Sequence, residues 1–369
     1  MTKAAELAKM GEVLTNSQIG GRRNIVINGA MNVAQRSTSE TGLGAASGYF
    51  TLDRYKSIRE TNLSGRFTQS QVAVTDLPGF ANALKMECTT ADTSIAAGEY
   101  FFLQQSFEGQ DLQQMKKGTS EAEEVTISFY VKGNANATYV LEMYDNDNTR
   151  HVSQSFNVTS SWNRVILTYP ADTTGAFDDD NAQSLRLFFW LHSGSTYAGG
   201  TLGTTWHTTA ANRAAGISSF FDSTDRTFFL TGLQMEVGSQ ATPFEHRSFG
   251  EELALCQRYL FVLADGADNI SGVVAAGTYY NSSTIYLVAQ PPVQMRTTPS
   301  LTTTNATNHY IAFSNGAGDH FETLTIGQAT PSSLEFFGSG AVSATSGHGT
   351  FVRLGGTSNT AKAHFVAEL

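Results

Sequence analysis

Two acidic runs, Asp145-Asn146-Asp147-Asn148 and Asp178-Asp179-Asp180, supply side-chain oxygens of the kind calcium prefers. Neither has the glycine and distal glutamate of a helix–loop–helix calcium loop. The first falls where a hairpin turn is expected, and Asp and Asn are turn formers in their own right. Turns are the leading reading of both runs, with Asp145 and Asp147 as the alternative calcium candidates; no other cofactor is expected. A second kind of chemistry is offered by Tyr197 and by Trp206-His207, which follow it in a Gly/Thr-rich loop. Aromatic faces on loops stack on sugar rings, so these three residues are the candidate glycan contacts. The competing reading is an aromatic anchor that holds a long loop on the body of the protein. Trp162 and Trp190 sit inside strand patterns and are expected in the core.

Catalysis finds little support. Polysaccharide cleavage needs a pair of carboxylates roughly 5 to 10 Å apart or a comparable acid–base set. The acidic residues lie in turns with no active-site context around them. His192, His207, His246, His309, His320 and His348 are scattered and match no nucleophile-elbow, metalloprotease or zinc spacing. Cys88 and Cys256 have no second Cys or His at ligand spacing and read as two buried thiols. The expectation is a protein that is not an enzyme.

The elements that must position these residues are almost entirely strands. Val125 to Lys132 alternates, with Val125, Ile127, Phe129 and Val131 on one face. Gly133 to Ala137 turns the chain and Tyr139 to Tyr144 runs back. Further strands are expected at Asn24–Asn28, Tyr49–Tyr55, Glu99–Gln105, Ser161–Tyr169, Ser184–His192 and Thr227–Gly238, with only Gln110 to Lys117 looking helical. Leu233, Met235 and Val237 share one face of the last of these. Pro243 stops its ladder, and Ser248-Phe249-Gly250-Glu251 reads as a capping box. The helix that follows carries Phe249, Leu253, Cys256 and Leu260 on one stripe. A second strand set then covers Tyr259–Leu263, Thr284–Val288, Ser300–Thr304, Tyr310–Phe313, Glu322–Ile326, Thr350–Leu354 and Ala363–Glu368. The predicted fold class is all-β: two jelly-roll-like β-sandwich domains, 22–247 and 248–369, joined by a short helix. Residues 1–21 form an N-terminal helical segment, with Leu7, Met10 and Leu14 on one stripe. A helix this short is marginal in water, so it is expected to serve attachment or assembly; the alternative is a frayed end.

Composition agrees with that architecture and narrows the partners. Only 15% of the 369 residues are charged, while 34 are Gly and 24 Phe, which suits short strands joined by tight polar turns. The formal net charge of −10 would repel a phosphate backbone, so nucleic acid is not an expected partner. No apolar run approaches the roughly 20 residues of a membrane-spanning helix, and the N-terminus has charges where a signal peptide needs an apolar core.

Several ordered motifs carry a resemblance. Asn24-Ile25-Val26-Ile27-Asn28-Gly29-Ala30-Met31-Asn32-Val33-Ala34-Gln35-Arg36 and Leu52-Asp53-Arg54-Tyr55 resemble the opening of the large module of many bacteriophage tail-fibre and virion-fibre proteins, especially those of phages of marine bacteria and cyanobacteria. Leu230 to Gly238 and Ala241-Thr242-Pro243-Phe244-Glu245 look like its close. Glu251, Leu253, Cys256-Gln257-Arg258-Tyr259 and Met295-Arg296-Thr297-Thr298-Pro299 resemble the passage into a C-terminal β-domain. The resemblance implies a non-enzymatic virion component, commonly a homotrimer, assembled in the bacterial cytoplasm from modules like carbohydrate-binding modules. A tail fibre that attaches to host glycan is the expected role. A capsid head fibre or decoration protein is the alternative, and a polysaccharide depolymerase the alternative of another class. The N-terminus would meet the neighbouring tail or capsid protein.

Overall fold

A computed structural model describes Lys3 and residues 22–369 except 341, 344, 357 and 358. The expected attachment stripe Leu7, Met10 and Leu14 lies outside the described residues. The chain divides into two compact units, Met1–Phe249 and Gly250–Leu369. Both are built from antiparallel strands, and the all-β fold class holds. No helix among the described residues is long and apolar enough to cross a membrane.

In the first unit, strands β1 (Ser39–Leu43), β4 (Arg66–Ala73), β5 (Asn82–Thr90), β12 (Thr227–Val237), β7 (Val125–Gly133) and β10 (Asn163–Tyr169) form one sheet in that order. The other contains β2 (Gly48–Tyr49), β3 (Lys56–Arg59), β6 (Tyr100–Glu108), β11 (Gln183–Ser193), β8 (Ala137–Asp145) and β9 (Arg150–Val158). Among β5 to β12, the first strand pairs with the last, the second with the seventh, the third with the sixth and the fourth with the fifth. That nesting is the jelly roll. Val125, Ile127, Phe129 and Val131 of β7 enter the core between the sheets, against Phe189 and Phe156.

The segment expected as a strand at Asn24–Asn28 is instead an irregular clasp. Glu245 Oε2 accepts from the amides of Arg23 (3.0 Å) and Asn24 (2.7 Å). Asn24 Oδ1 accepts from Val26 and Met235. Side chains here take the amides that a ladder would otherwise satisfy. Asn28, at φ 60°, uses its amide group to hold Val33 and Asp53. The opening and closing motifs of the module therefore meet, through Glu245 and through Arg247 Nη1 on the Val26 carbonyl (2.9 Å). Tyr49–Tyr55 also departs from expectation: only Gly48–Tyr49 pairs, and Arg54 turns the chain at φ 74°. Gln110–Lys117 is two short 3-10 turns, Gly109–Asp111 and Gln113–Met115.

A four-residue turn of helix, α1 (Ser195–Ala198), follows β11, and α2 (Phe249–Gln257) opens the second strand set. In α2, Cys256 is buried but Phe249 is 59% exposed, and Leu260 already belongs to the next strand, so the expected four-residue stripe is not formed. The second unit stacks β13 (Leu260–Asp265), β22 (Lys362–Val366) and β16 (Ser300–Thr303) as one sheet. The other sheet runs β18 (Ala317–Phe321), β17 (Tyr310–Ser314), β21 (Gly349–Leu354), β14 (Val273–Asn281), β15 (Thr284–Ala289), β20 (Ser333–Ser339) and β19 (Thr323–Thr330). Phe365 from the small sheet and Phe336 from the large one meet at 5.5 Å in the shared core.

Candidate functional site

The three predicted glycan contacts are not brought together on an open surface. Tyr197 stands on α1 with its ring 5.5 Å from both Tyr100 and Trp190. Trp206 is half-buried, donating from Nε1 to the Pro170 carbonyl (2.8 Å) and packing on the main core. His207 pairs backbone-to-backbone with His151, their rings perpendicular at 4.3 Å. The cause is the segment 194–219, which folds back over the outer face of the β6–β11–β8 sheet. There Phe102, Phe188 and Trp190 form a second apolar layer that this segment covers. Its pin is Arg213, whose Nε and Nη2 donate to Glu142 at 2.7 and 3.0 Å while the guanidinium lies within 5.0 to 5.7 Å of the Tyr144, Phe188, Trp190 and Tyr197 rings. Trp190 Nε1 donates to the same carboxylate (2.7 Å). The expectation for Trp190 is met, whereas Trp162 is only half-buried, with Nε1 donating to Asp76 (2.9 Å) on the surface.

At the two calcium candidates the geometry is that of a turn closed by a lysine. Asp145 is fully buried and its Oδ1 accepts from the amides of Asp147 and Asn148. Its Oδ2 lies 2.6 Å from Lys117 Nζ. That ammonium also reaches Asp172 Oδ2 (3.1 Å) and the carbonyls of Thr174 and Gly175 (2.9 and 2.7 Å). Asp147 does not join it; its Oδ2 accepts from the Asp178 amide (3.0 Å). Among the described residues no group of three His, Cys, Asp or Glu could hold a metal ion. An open cleft of about 460 Å³ beside this site has an apolar floor of Leu112 and Phe177. Its Lys116 is already paired with Glu123 (2.8 Å).

A carboxyl pair does exist, in a place the sequence reading did not find. Asp92 and Glu99, both almost inaccessible, hydrogen-bond to one another beneath the exposed loop 93–98. Burial pushes both carboxyls up. For Glu99 this prevails and its pKa rises to about 7. For Asp92 the hydroxyl and amide of Ser64, at 2.6 and 2.8 Å, outweigh it and hold the pKa down to about 2. His192 Nε2 lies 3.6 Å from Glu99 Oε1, and burial depresses this imidazole to about 4. The pair thus holds one proton between two carboxyls and faces a neutral histidine. Because the folded state binds a proton on Glu99 that the unfolded chain releases above about pH 4.5, this carboxyl's own contribution to stability should fall as pH rises from 4.5 to 7, by roughly 1 to 3 kcal/mol. The depressed His151 and His192 imidazoles act in the opposite sense below about pH 6.5. Glu99→Gln, which keeps the hydrogen bond without the charge, should gain in melting temperature relative to wild type between pH 5 and 7.5. Wild-type and Glu99→Gln melting temperatures that differ by the same amount at both pH values would refute the shared proton.

An exposed apolar surface lies on the second unit, on the outer face of the seven-stranded sheet. Tyr279, Ile285, Leu287, Phe336 and Val352 fill the inner face. Strand pleating sends their neighbours outward. One cross-strand row runs Phe313, Phe351, Ala276, Val288 and Glu335. A second runs Thr278, Tyr286, Phe337 and Thr325. Tyr286 is 4.7 Å from Tyr280 and 4.5 Å from Phe337, while Phe313 and Phe351 stack at 5.1 Å. Tyr280 is 65% exposed, Val288 57% and Phe351 43%.

No protein-family model matches the chain, and no curated protein does. Solved structures align over a little more than half of it. A family 4 carbohydrate-binding module is 12% identical, over 57% of this chain and 97% of that one, with a TM-score of 0.31. The enzymatically active domain of tailspike protein 4 of bacteriophage CBA120 is 10% identical, over 58% of this chain and 21% of that one, with a TM-score of 0.30. A family 11 module of Clostridium thermocellum is 13% identical, over 57% and 99%, with a TM-score of 0.28. Likeness at these scores decides neither ligand nor role.

The aromatic face is legible in the sequence only as strands. Tyr279 and Tyr280 are adjacent aromatics, one inward and one outward, so composition at this strand gives no sign of which face is open. Chemically, ring faces with threonine hydroxyls at their edges can stack on apolar sugar faces and hydrogen-bond their hydroxyls.

Proposed function

We propose that the chain is a non-enzymatic fibre protein of a phage particle that attaches to host-surface glycan through the outer aromatic face of its C-terminal sheet. The observation that carries this reading is that face itself. A soluble monomer rarely exposes a contiguous apolar patch without a use for it, and this one offers two ring clusters framed by Thr278, Thr325 and Ser339. The virion assignment is supported by the ordered fibre-like motifs at Asn24–Arg36, Leu230–Glu245 and Met295–Pro299. The clasp adds a structural reason for two of them to occur together, since Glu245 closes on Asn24. A non-enzymatic role is favoured because the Asp92–Glu99 pair is sealed from solvent. Assembly as a trimer would raise weak single-site binding to useful avidity on a repetitive surface.

Adsorption competition tests the reading. Purified chain should block adsorption of particles to the host, and antibody to the C-terminal unit should label the tail. Tyr286→Ala with Phe351→Ala, checked for an unchanged melt, should lose most of the block, since stacking is worth about 1 kcal/mol or more per ring. A double variant that competes as well as wild type would remove this face from adhesion, and label confined to the capsid would make the chain a head fibre.

A further inference from the structure

On the same outer face, beside Phe313 and Phe351, a third cross-strand row runs His320, Ile311 and Arg353. The Arg353 guanidinium lies 4.4 Å from the centre of the Phe313 ring and 5.6 Å from that of Phe351. Among the described residues it makes no ion pair, and its Nε is buried without a hydrogen-bond partner. His320 Nδ1 is a second buried nitrogen without a partner in the same row. These two nitrogens are themselves covered, and His320 Nδ1 donates in only one tautomer, so what an outside acceptor can meet is the accessible remainder of the half-buried Arg353 side chain. The second unit has only four cationic side chains, Arg258, Arg296, Arg353 and Lys362. Arg296 is spent on the carbonyls of Ala367 and Glu368.

We infer that Arg353 and His320 form a subsite for the carboxylate of an acidic sugar, such as a uronic acid, whose ring stacks on Phe351. This deepens the adhesion reading above and rests on it. An arginine offers a planar fork of donors that matches a carboxylate, so the contact is both charge-assisted and oriented. The exposed Phe351 ring supplies the apolar surface on which the sugar would lie. The chain's overall charge of −10 does not prevent this, because charges more than about 8 to 10 Å away are screened at physiological salt. The donor row decides the charge of the sugar, while the rings alone would take a neutral one.

The test uses the full chain and a matched pair of probes, oligogalacturonate and its methyl ester, with polyglutamate as a third. Oligogalacturonate should bind about 10- to 100-fold more tightly than the ester, the range of one charge-assisted contact, and added salt should narrow the gap. Arg353→Gln should bind both probes alike, near the wild-type affinity for the ester. Arg353→Lys keeps the charge without the fork and should retain a smaller preference; it also serves if the glutamine variant does not fold. Equal wild-type binding of acid and ester overturns the subsite but leaves glycan adhesion standing. Polyglutamate bound as tightly as oligogalacturonate overturns the sugar class. If neither saccharide binds and the Tyr286→Ala/Phe351→Ala protein still competes for adsorption, the adhesion reading falls with the subsite.

Discussion

Replacing Arg213 with methionine should destabilise the first unit by about 3 to 5 kcal/mol, the cost of leaving one partner of a buried ion pair uncompensated. Glu142 is fully buried on β8, and among the described residues Arg213 is its one cationic hydrogen-bond partner; the Trp190 indole is the other side-chain donor. Burial already raises the Glu142 pKa, and the guanidinium works against that rise. Without Arg213 the carboxyl should take up a proton in the folded state and release it on unfolding. A raised folded pKa in an acid gives stability at low pH that is lost as pH climbs through it. The variant should therefore be closest to wild type in mild acid and furthest from it at pH 8. Adding Glu142→Leu to Arg213→Met should recover much of the loss, since an apolar pair of similar volume often matches a buried ion pair. Thermal melts at two pH values read all of this, with about 2 to 4 °C expected per kcal/mol in a unit of this size. A single variant that melts with wild type would show that the 194–219 segment is held by its apolar contacts alone.

That pair also explains where the sequence misleads. Strands such as Val125–Gly133 and Thr227–Val237 are legible because pleating writes itself locally as alternation. Segment 194–219 reads as an exposed loop because Gly, Thr and Ser dominate it, so Tyr197, Trp206 and His207 look available. What holds them partly covered is a contact between residues 71 apart in the chain, and nothing local to either partner announces it. Trp162 fails in the opposite sense. Its surroundings alternate like a core strand, but it stands just before β10, beside Asp76 and Lys132, which hold it at the surface. The strand at Asn24–Asn28 is lost for a third reason. Asparagine and glutamate side chains supply the hydrogen bonds that an apolar run is assumed to take from a neighbouring strand. The aromatic face of the second unit was within reach of alternation at Thr284–Ala289, where Ile285 and Leu287 point in and Tyr286 and Val288 out. Its openness was not, because exposure depends on what fails to cover a strand.

Lys117→Ala should produce the other large effect, and its rescue would settle what the acidic turn can bind. The lysine ammonium sits among four oxygens, from Asp145, Asp172, Thr174 and Gly175, at 2.6 to 3.1 Å. Two rings, Phe177 and Trp206, flank it at 5.2 Å. Its removal strands the Asp145 carboxylate, while Asp172 keeps Arg150 at 2.9 Å. A loss of about 3 to 5 kcal/mol is expected, again the cost of a buried unpaired charge. The oxygens left behind, two carboxylates and two carbonyls, are the donors that a hard cation accepts, and the vacated stem leaves room for one. Calcium should therefore raise the melting temperature of Lys117→Ala in a concentration-dependent way and leave wild type unmoved, because ligand that binds only the folded state stabilises in proportion to its occupancy. Asp147 should be dispensable for that rescue, since it faces the Asp178 amide and not the ammonium. Rescue of Lys117→Ala but not of Lys117→Ala/Asp145→Asn would locate the effect at the buried carboxylate. Calcium stabilisation of the unsubstituted protein would instead mean that the cation enters elsewhere, and that the lysine does not stand in its place.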